Sequence, residues 1–294
     1  MRIYILFLLL IAGMFSAQQS ALKEEVKYYL KDKKAEVSVS VLGIEEEFQM
    51  HIDGDKRLPM QSVYKFHIAM AVLDQVDKGQ LSLQQAIWVS KDDLLPDTWS
   101  PLREKYPNGN INLPLSEIIN YTVSQSDNNG CDILLRLLGG AGEVQKFLDN
   151  RGIKDVQVKN SEEQMHANWD SQFENYGTTR SIASTLKEFY LGKLLSKKST
   201  DYLYDVMLGT LSGKDKIKQS LPSGTVAHKT GSSGRNSEGL KSAENDAGII
   251  TLPNLQHYTL VVFVNNSKKE DAYNTGIIAE VSKIVYEQLI KNNN

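Results

Sequence analysis

Cysteine is almost absent from this sequence. Cys131 is the only one among 294 residues, so no disulfide can form within the chain. Histidine is nearly as rare, and its five positions are scattered along the chain: His51, His67, His166, His228 and His257. Because zinc enzymes bring their ligands together at short, recurring spacings, a zinc hydrolase is disfavoured, and we predict no metal and no other cofactor.

Positive charge is not in excess either. Lysine and arginine number 33 against 36 acidic residues, for a formal net charge of −3, which argues against a nucleic acid partner. Hydrophobic residues at 41% and charged residues at 23% are ordinary for a soluble globular protein. The length allows one large core or two modest lobes.

Long apolar runs are missing after the first residues. Residues 1–17 carry one positive charge, Arg2, and then an apolar run too short for a spanning helix, which is typical of an export signal. We predict cleavage after Ala17, although Phe15 is larger than the residue usually found there. The mature chain would be one charge more negative, would keep no membrane anchor, and is expected to be a monomer.

The stretch Met60-Gln61-Ser62-Val63-Tyr64-Lys65 opens the most informative segment. Apolar residues recur after it at the spacing of one buried helical face: Val63, Phe66, Ala69, Met70, Leu73 and Val76. Pro59 and Gly79 stand where a helix start and stop are expected. On a helix over 62–78, Ser62 and Lys65 lie on one face and can touch.

Serine and lysine together are typical of acyl transfer, because a lysine with a lowered pKa can take the proton of a serine hydroxyl. The pair alone is weak evidence, since Ser20 and Lys23 share the spacing, as do Ser184 and Lys187. A solvated pair on a helix would explain any one of them.

Two further motifs follow. Ser126-Asp127-Asn128 lies between two helical segments, where a helix cap would explain it equally well. Lys229-Thr230-Gly231-Ser232 ends a predicted strand, and a strand that runs into a turn would explain this stretch without any functional role.

The pattern of elements predicts a sheet built from both ends of the chain. A helix at 21–33 and an alternating strand at 36–41 come first, and strands at 225–230, 247–252 and 258–264 precede a last apolar helix. The helices predicted between them are 62–78, 115–124, 128–138, 142–151, 179–192 and 199–208. A helical lobe inserted into an α/β lobe would leave a cleft, the usual place for a site.

Taken in order, Ser62-x-x-Lys65, Ser126-Asp127-Asn128 and Lys229-Thr230-Gly231 resemble the penicillin-recognising serine enzymes over residues 21–290. Glu162 stands where class A β-lactamases place the glutamate of their Ω-loop. The resemblance implies a two-lobe α+β fold with an antiparallel sheet, divided into an α/β lobe (18–57 and 214–294) and a helical lobe (58–213) with its Ω-loop at about 158–177. It also implies a periplasmic enzyme.

The resemblance implies a role for each matching residue. Ser62 would attack the lactam carbonyl, with the oxyanion held by the N–H groups of Ser62 and Ser232. Lys65 and Ser126 would move protons, and Glu162 would hold the deacylating water; whether Lys65 or Glu162 is the base for acylation stays open. The substrate would be bound by Asn128, Lys229, Thr230, Gly231 and Ser232.

Several residues depart from the commonest class A pattern. His166 stands where an asparagine is usual, and Glu163 replaces a proline, which predicts a trans peptide after Glu162. Asn160 and Asn175 replace a charged pair that closes the Ω-loop, and Asn175 is free to bond Asp132 instead.

Together with Gln61 and a long connection from Ser232 to Asn245, these departures resemble the PER and VEB branch, associated with oxyimino-cephalosporins. We therefore expect a preference for cephalosporins over penicillins and little carbapenem turnover. Trp99 either walls the site or is a buried aromatic, and Lys216 occupies a position where relatives often carry an arginine that binds the substrate carboxylate.

Two alternatives share the three motifs. A D-alanyl-D-alanine carboxypeptidase would hold a long-lived penicilloyl adduct, and Glu162 argues against it. A non-catalytic β-lactam sensor would also be acylated without turnover, but it usually carries a membrane anchor and a signalling segment.

Overall fold

A computed structural model of the protein describes residues 19–291, so the predicted signal peptide at 1–17 lies outside the described residues. The helices are α1 (19–30), α2 (Tyr64–Asp77), α3 (Pro101–Lys105), α4 (Leu115–Ser124), α5 (Asn128–Leu138), α6 (Ala141–Asn150), α7 (Glu162–Ala167), α8 (Thr179–Tyr190), α9 (Lys197–Leu208) and α10 (Asp271–Lys291). The strands are β1 (Glu36–Gly43), β2 (Gln49–Ile52), β3 (Leu58–Pro59), β4 (Ala86–Val89), β5 (Ile111–Pro114), β6 (Tyr176–Gly177), β7 (Val226–Ser232), β8 (Lys241–Thr251) and β9 (His257–Ser267). Short 3₁₀ helices cover Gln61–Val63, Trp169–Glu174 and Ile217–Ser220.

Strands from both ends of the chain form one antiparallel sheet in the order β2-β1-β9-β8-β7, as predicted. Apolar side chains of one face pack against α1 and α10. The other face is covered by α8, where the buried hydroxyls of Ser38 and Ser40 lie 2.8 and 2.9 Å from the Thr179 hydroxyl. The sheet is therefore buried on both sides and gives β7 a rigid support.

The helix that follows Ser62 is the centre of the second core. α4, α5, α6 and α9 all pack against α2, and every residue from Tyr64 to Asp74 is buried. The apolar spacing predicted only one buried face, which is wrong, because a helix surrounded by others is buried all round. Lys65 is thereby removed from water although its side chain ends in a polar amine.

Most predicted boundaries lie close to the observed ones, and those of α4 and α5 match at both ends. The strand predicted to begin at Ala247 is longer: β8 begins at Lys241. Its first residues are polar and so do not read as a strand, yet they are buried between β7 and β9. The predicted connection from Ser232 to Asn245 is therefore too long, and only 233–240 links the two strands.

Candidate active site

Ser62 lies on a tight turn pressed against the end of β7. The residue before it, Gln61, adopts a left-handed conformation (φ 48°) that is uncommon without glycine. Gly231 passes so close that a Cβ there would stand 2.6 Å from the Met60 carbonyl oxygen and 3.1 Å from the Ser62 nitrogen. Only glycine fits, and the backbone nitrogens of Ser62 and Ser232 are thus brought to the same end of the cleft.

Lys65 connects three parts of the predicted site. Its fully buried Nζ donates to Ser62 Oγ (3.0 Å), to the Ser126 carbonyl (2.9 Å) and to Asn128 Oδ1 (2.5 Å). Glu162 Oε1 lies 3.0 Å from the same Nζ, and the Glu162 side chain is only 12% exposed. A hydroxyl, an ammonium group and a carboxylate therefore form one chain of contacts.

Ser126 and Asn128 face the cleft on either side of a capping residue. The Asp127 carboxylate accepts from the Gly130 N–H at the start of α5, so the cap considered from sequence is real, but it belongs to Asp127. Ser126 is held at a positive φ of 60°, and its hydroxyl accepts from Lys229 Nζ at 2.9 Å. The motif caps a helix and also supplies two polar groups to the cleft.

Lys229 is almost completely buried at the opposite wall. Its Nζ donates to Ser126 Oγ and to the Thr230 carbonyl (2.7 Å). Burial, reinforced by the nearby ammonium groups of Lys65 and Lys216, holds the pKa of Lys229 well below its usual value. This lysine can release a proton more readily than an exposed one.

Most of these groups line a cavity of about 510 Å³, whereas Lys65 and Lys229 lie behind its wall. Its lining includes nine of the predicted residues: Ser62, Trp99, Ser126, Asn128, Glu162, Lys216, Thr230, Gly231 and Ser232. His166 is exposed and lines a neighbouring cavity of about 270 Å³ together with Asn128 and Glu162. The volume suits a small molecule with a few polar groups.

Comparison with known proteins agrees with this geometry. The family model described as "Beta-lactamase enzyme family" matches residues 21–289. Beta-lactamase VEB-1 of Pseudomonas aeruginosa is 45% identical over 274 residues, covering 92% of this chain and 91% of that protein. The chain belongs to the β-lactamase enzyme family.

Two further relatives place this β-lactamase within class A. Extended-spectrum beta-lactamase PER-1 of Pseudomonas aeruginosa is 38% identical over 277 residues, covering 94% of this chain and 90% of that protein. The crystal structure of the TLA-3 extended-spectrum beta-lactamase superposes with a TM-score of 0.91 at 48% identity, covering 92% of this chain and 99% of the other. The predicted fold, family and enzyme class are confirmed, and the chain is a β-lactam hydrolase that confers resistance.

The start of α7 carries Glu162, and Asp132 on α5 anchors it. Its carboxylate accepts from the backbone N–H groups of Glu162 (2.8 Å) and Glu163 (2.9 Å), and the peptide between them is trans, as predicted. Burial, with the negative charge of Glu162 adding to it, raises the pKa of Asp132 to about 6 in spite of these two bonds.

Asn175 does not bond Asp132, and that prediction is wrong. Its side chain instead accepts from the N–H groups of Lys159 (2.7 Å) and Asn160 (2.9 Å) and donates to the Asn160 carbonyl (2.8 Å). The Asn160 side chain in turn donates to the Ser171 carbonyl. The side-chain amides of Asn160 and Asn175 therefore close this loop by hydrogen-bonding to backbone groups. Asp132 is not available to Asn175, because both of its carboxylate oxygens already accept from N–H groups at the start of α7.

Trp99 stands at the rim of the cavity; the residue is 61% exposed, and its Nε1 donates to the Gln125 carbonyl at 2.9 Å. The buried-aromatic alternative is therefore wrong. His228, by contrast, is a core residue, fully buried and 2.9 Å from Asp246 through Nδ1.

Sequence reasoning missed three residues that hold the site. Asn245 fixes the turn that carries Ser62 by donating to the Pro59 carbonyl (2.8 Å), and Gln172 accepts from Gln61 (2.7 Å) to tie that turn to the segment Trp169–Glu174. Glu244 pairs with Lys216, with 2.6 Å between Oε1 and Nζ. All three are polar and buried, a combination that periodicity does not reveal.

Proposed function

We propose that this β-lactamase hydrolyses the amide of cephalosporins and penicillins through an acyl-enzyme on Ser62, with Glu162 as the base of deacylation. The observation that carries the proposal is the chain of contacts from Ser62 Oγ through Lys65 Nζ to Glu162 Oε1, each 3.0 Å long, at the edge of a cavity of substrate size.

Acylation begins when Ser62 Oγ attacks the lactam carbonyl. The serine proton passes either to Glu162 through a water, or to Lys65 once the Lys65 ammonium group has given one of its protons to Glu162, whose Oε1 lies 3.0 Å from Nζ. The N–H groups of Ser62 and Ser232 stabilise the oxyanion, and such donors are each worth about 10² to 10³ in rate.

The leaving lactam nitrogen needs a proton. Ser126 supplies it, and Lys229 replaces it through the 2.9 Å hydrogen bond between their side chains. The lowered pKa of Lys229 supports this route, because proton transfer is most efficient near matched acidity.

Deacylation uses a water held by Glu162 and Asn128, whose side chains border the same two cavities. Glu162 takes the proton of this water as it attacks the ester carbonyl, and Ser62 leaves with a proton returned through Lys65. Anchoring of α7 by Asp132 keeps the carboxylate in reach.

Recognition divides between the walls of the cleft. Asn128 binds the acylamide side chain, with Trp99 as a wall and His166 at the neighbouring cavity. Lys229, Thr230, Gly231 and Ser232, with Lys216 beside them, bind the substrate carboxylate, where ammonium groups give charge and hydroxyls give direction. PER-1 is named an extended-spectrum enzyme, which supports a preference for cephalosporins over penicillins.

We further propose that the chain is exported to the periplasm after removal of residues 1–17 and acts there as a monomer without an anchor. Within the described residues no helix is long and apolar enough to cross a membrane. The division into an α/β lobe (18–57 and 214–294) and a helical lobe (58–213), with an Ω-loop at about 158–177, is kept as part of the proposal.

The test is intact-protein mass spectrometry with a cephalosporin. Glu162→Gln should accumulate a stable adduct on Ser62, because deacylation loses its base while acylation proceeds. The matched control is Glu163→Gln, an exposed neighbour that should turn over like the parent. Ser62→Ala should carry no adduct, and parental turnover by Glu162→Gln would refute the assignment.

A further inference from the structure

Glu244 is a buried carboxylate placed beside the predicted anion site. It stands on β8 directly opposite Ser232 on β7, so the two side chains share one face of the sheet. Glu244 is 3% exposed and borders the 510 Å³ cavity, whereas Ser232 is exposed toward it.

Two donors of the anion site, Ser232 and Lys216, converge on this carboxylate together with Lys241. Oε1 accepts from the Ser232 hydroxyl and lies 2.6 Å from Lys216 Nζ, and Oε2 pairs with Lys241. Although burial disfavours its charge, the attraction and hydrogen bond of Lys216, with those of Lys241 and Ser232, hold the pKa of Glu244 below its usual value. The carboxylate is therefore charged at neutral pH.

The protons of these donors are already committed in the free enzyme. A serine hydroxyl has one proton, and that of Ser232 goes to Glu244, while Lys216 Nζ donates to the serine oxygen at 3.1 Å. An ammonium group has three protons, and Lys216 also contacts the Asn245 carbonyl at 3.1 Å in addition to Glu244. A substrate carboxylate arriving here finds both donors occupied by another carboxylate.

We propose that Glu244 is an internal competitor of the substrate carboxylate: it holds the Ser232 hydroxyl and the Lys216 ammonium group in the free enzyme, and the substrate must take them over on binding. The inference rests on the proposed function, in which Ser232 and Lys216 bind that carboxylate. Glu244 thus sets how strongly the enzyme distinguishes an anionic substrate from a neutral one, and it prevents small inorganic anions from filling the pocket.

The experiment compares a cephalosporin acid with its methyl ester, so that only the substrate carboxylate changes. Glu244→Gln should raise the ratio of kcat/KM for the acid over that for the ester by about three- to tenfold, through a lower KM for the acid. Inorganic sulfate should inhibit this variant at lower concentration than the parent. Asp271→Asn is the matched control, because Asp271 also borders the cavity and lies 2.9 Å from Lys241, and its ratio should stay parental.

An acid-to-ester ratio that is unchanged or lower in folded Glu244→Gln would overturn the inference, since Glu244 would then only support its neighbours. If that variant does not fold, the double variant Glu244→Gln/Lys241→Gln is used instead, because it removes one buried charge of each sign. Its acid-to-ester ratio should exceed that of Lys241→Gln alone, and an unchanged or lower ratio would again overturn the inference. Failure of the proposed function would appear separately, as a parental enzyme that does not turn over the acid.

Discussion

Lys229 is a buried lysine whose positive charge is disfavoured both by burial and by its neighbours. A buried ammonium group loses its hydration, and the positive charges of Lys65 and Lys216 add to the cost, so its pKa falls well below the usual value. Its hydrogen bond to Ser126 gives the released proton a path toward the cleft. A lysine with a purely structural role would destabilise the fold less if it were exposed or paired with a carboxylate. The burial of Lys229 therefore favours a role in proton transfer.

Lys229→Arg tests this role directly. Arginine keeps the positive charge but does not release a proton, so we expect single-turnover acylation at saturating cephalosporin to slow by about 10²-fold or more. In the parent, acylation should fall as pH rises through the lowered pKa of Lys229, because the proton donor is lost; this alkaline decline should be missing from the variant.

Lys218→Arg is the matched control for that experiment. Burial also lowers the pKa of Lys218, but its Nζ donates to the carbonyls of Leu208 and Thr210 rather than to Ser126. Its acylation rate and pH profile should be parental. An arginine at position 229 that acylates at the parental rate would exclude the proton relay.

At the scale of elements, α7 is a short helix positioned by a residue from another helix. Asp132 on α5 accepts from the first two N–H groups of α7, which have no partner within their own helix. The price is a buried carboxylate beside Glu162, and burial raises the pKa of Asp132 from 3.8 to about 6. The anchor is therefore charged at neutral pH but protonated in mild acid.

Asp132→Asn should change the pH dependence of stability. Because the folded pKa of Asp132 exceeds the unfolded one, its ionisation costs stability, and that cost develops as pH rises from about 4 through about 6. Relative to the Asn variant, the parent should lose about 3 kcal/mol of unfolding free energy over this range.

Urea unfolding of both proteins at several pH values measures the difference. Asp205→Asn, an exposed carboxyl on α9, should show no such trend relative to the parent. A parent-to-variant difference that is constant with pH would contradict the buried-anchor interpretation. The amide also leaves one α7 N–H facing a donor, so deacylation should slow at pH 7 in the same variant.

The elements themselves were predictable wherever burial followed a regular period. α4 and α5 were predicted to the residue because each has a polar and an apolar face, and α5 also begins at the capping residue Asp127 and ends before Gly139. β8 was predicted too short, since Lys241, Glu244 and Asp246 are charged yet buried. Their partners are far away in sequence, and no local pattern reports a pairing of that kind.

At the scale of the whole molecule, the site lies where two separate cores meet. One core is built around α2 and carries Ser62 and Lys65; the sheet, packed on α1 and α10, carries the Lys229 motif. The order of the three motifs predicted that these parts converge, through their resemblance to the penicillin-recognising serine enzymes, although each motif alone has a purely structural explanation. What joins the two parts, such as Asn245 reaching the Pro59 carbonyl, depends on three-dimensional packing and was not predictable.

The reactivity of the Cys131 thiol can be used to measure how stably the core around α2 is packed. The thiol is fully buried in the core around α2, 3.1 Å from the Tyr64 hydroxyl, and burial raises its pKa well above the usual value. The thiolate is the reactive form of cysteine, so an aromatic disulfide reagent should not label the native protein and should react only when the core opens. Reducing agents should leave the melting temperature unchanged, because the chain has no disulfide to break.

Labelling at about pH 8 should therefore follow unfolding, accelerating with urea in step with the loss of circular dichroism. Trapping the acyl-enzyme in Glu162→Gln should slow the labelling, because a ligand held only by the native state stabilises it. Cys131→Ala gives the background, as no other thiol exists in the chain. Labelling of the native protein at the rate of a free thiol would mean that the core around α2 opens locally. Close packing would then not hold Lys65 between Ser62 and Glu162, and the proposed catalytic arrangement would be contradicted.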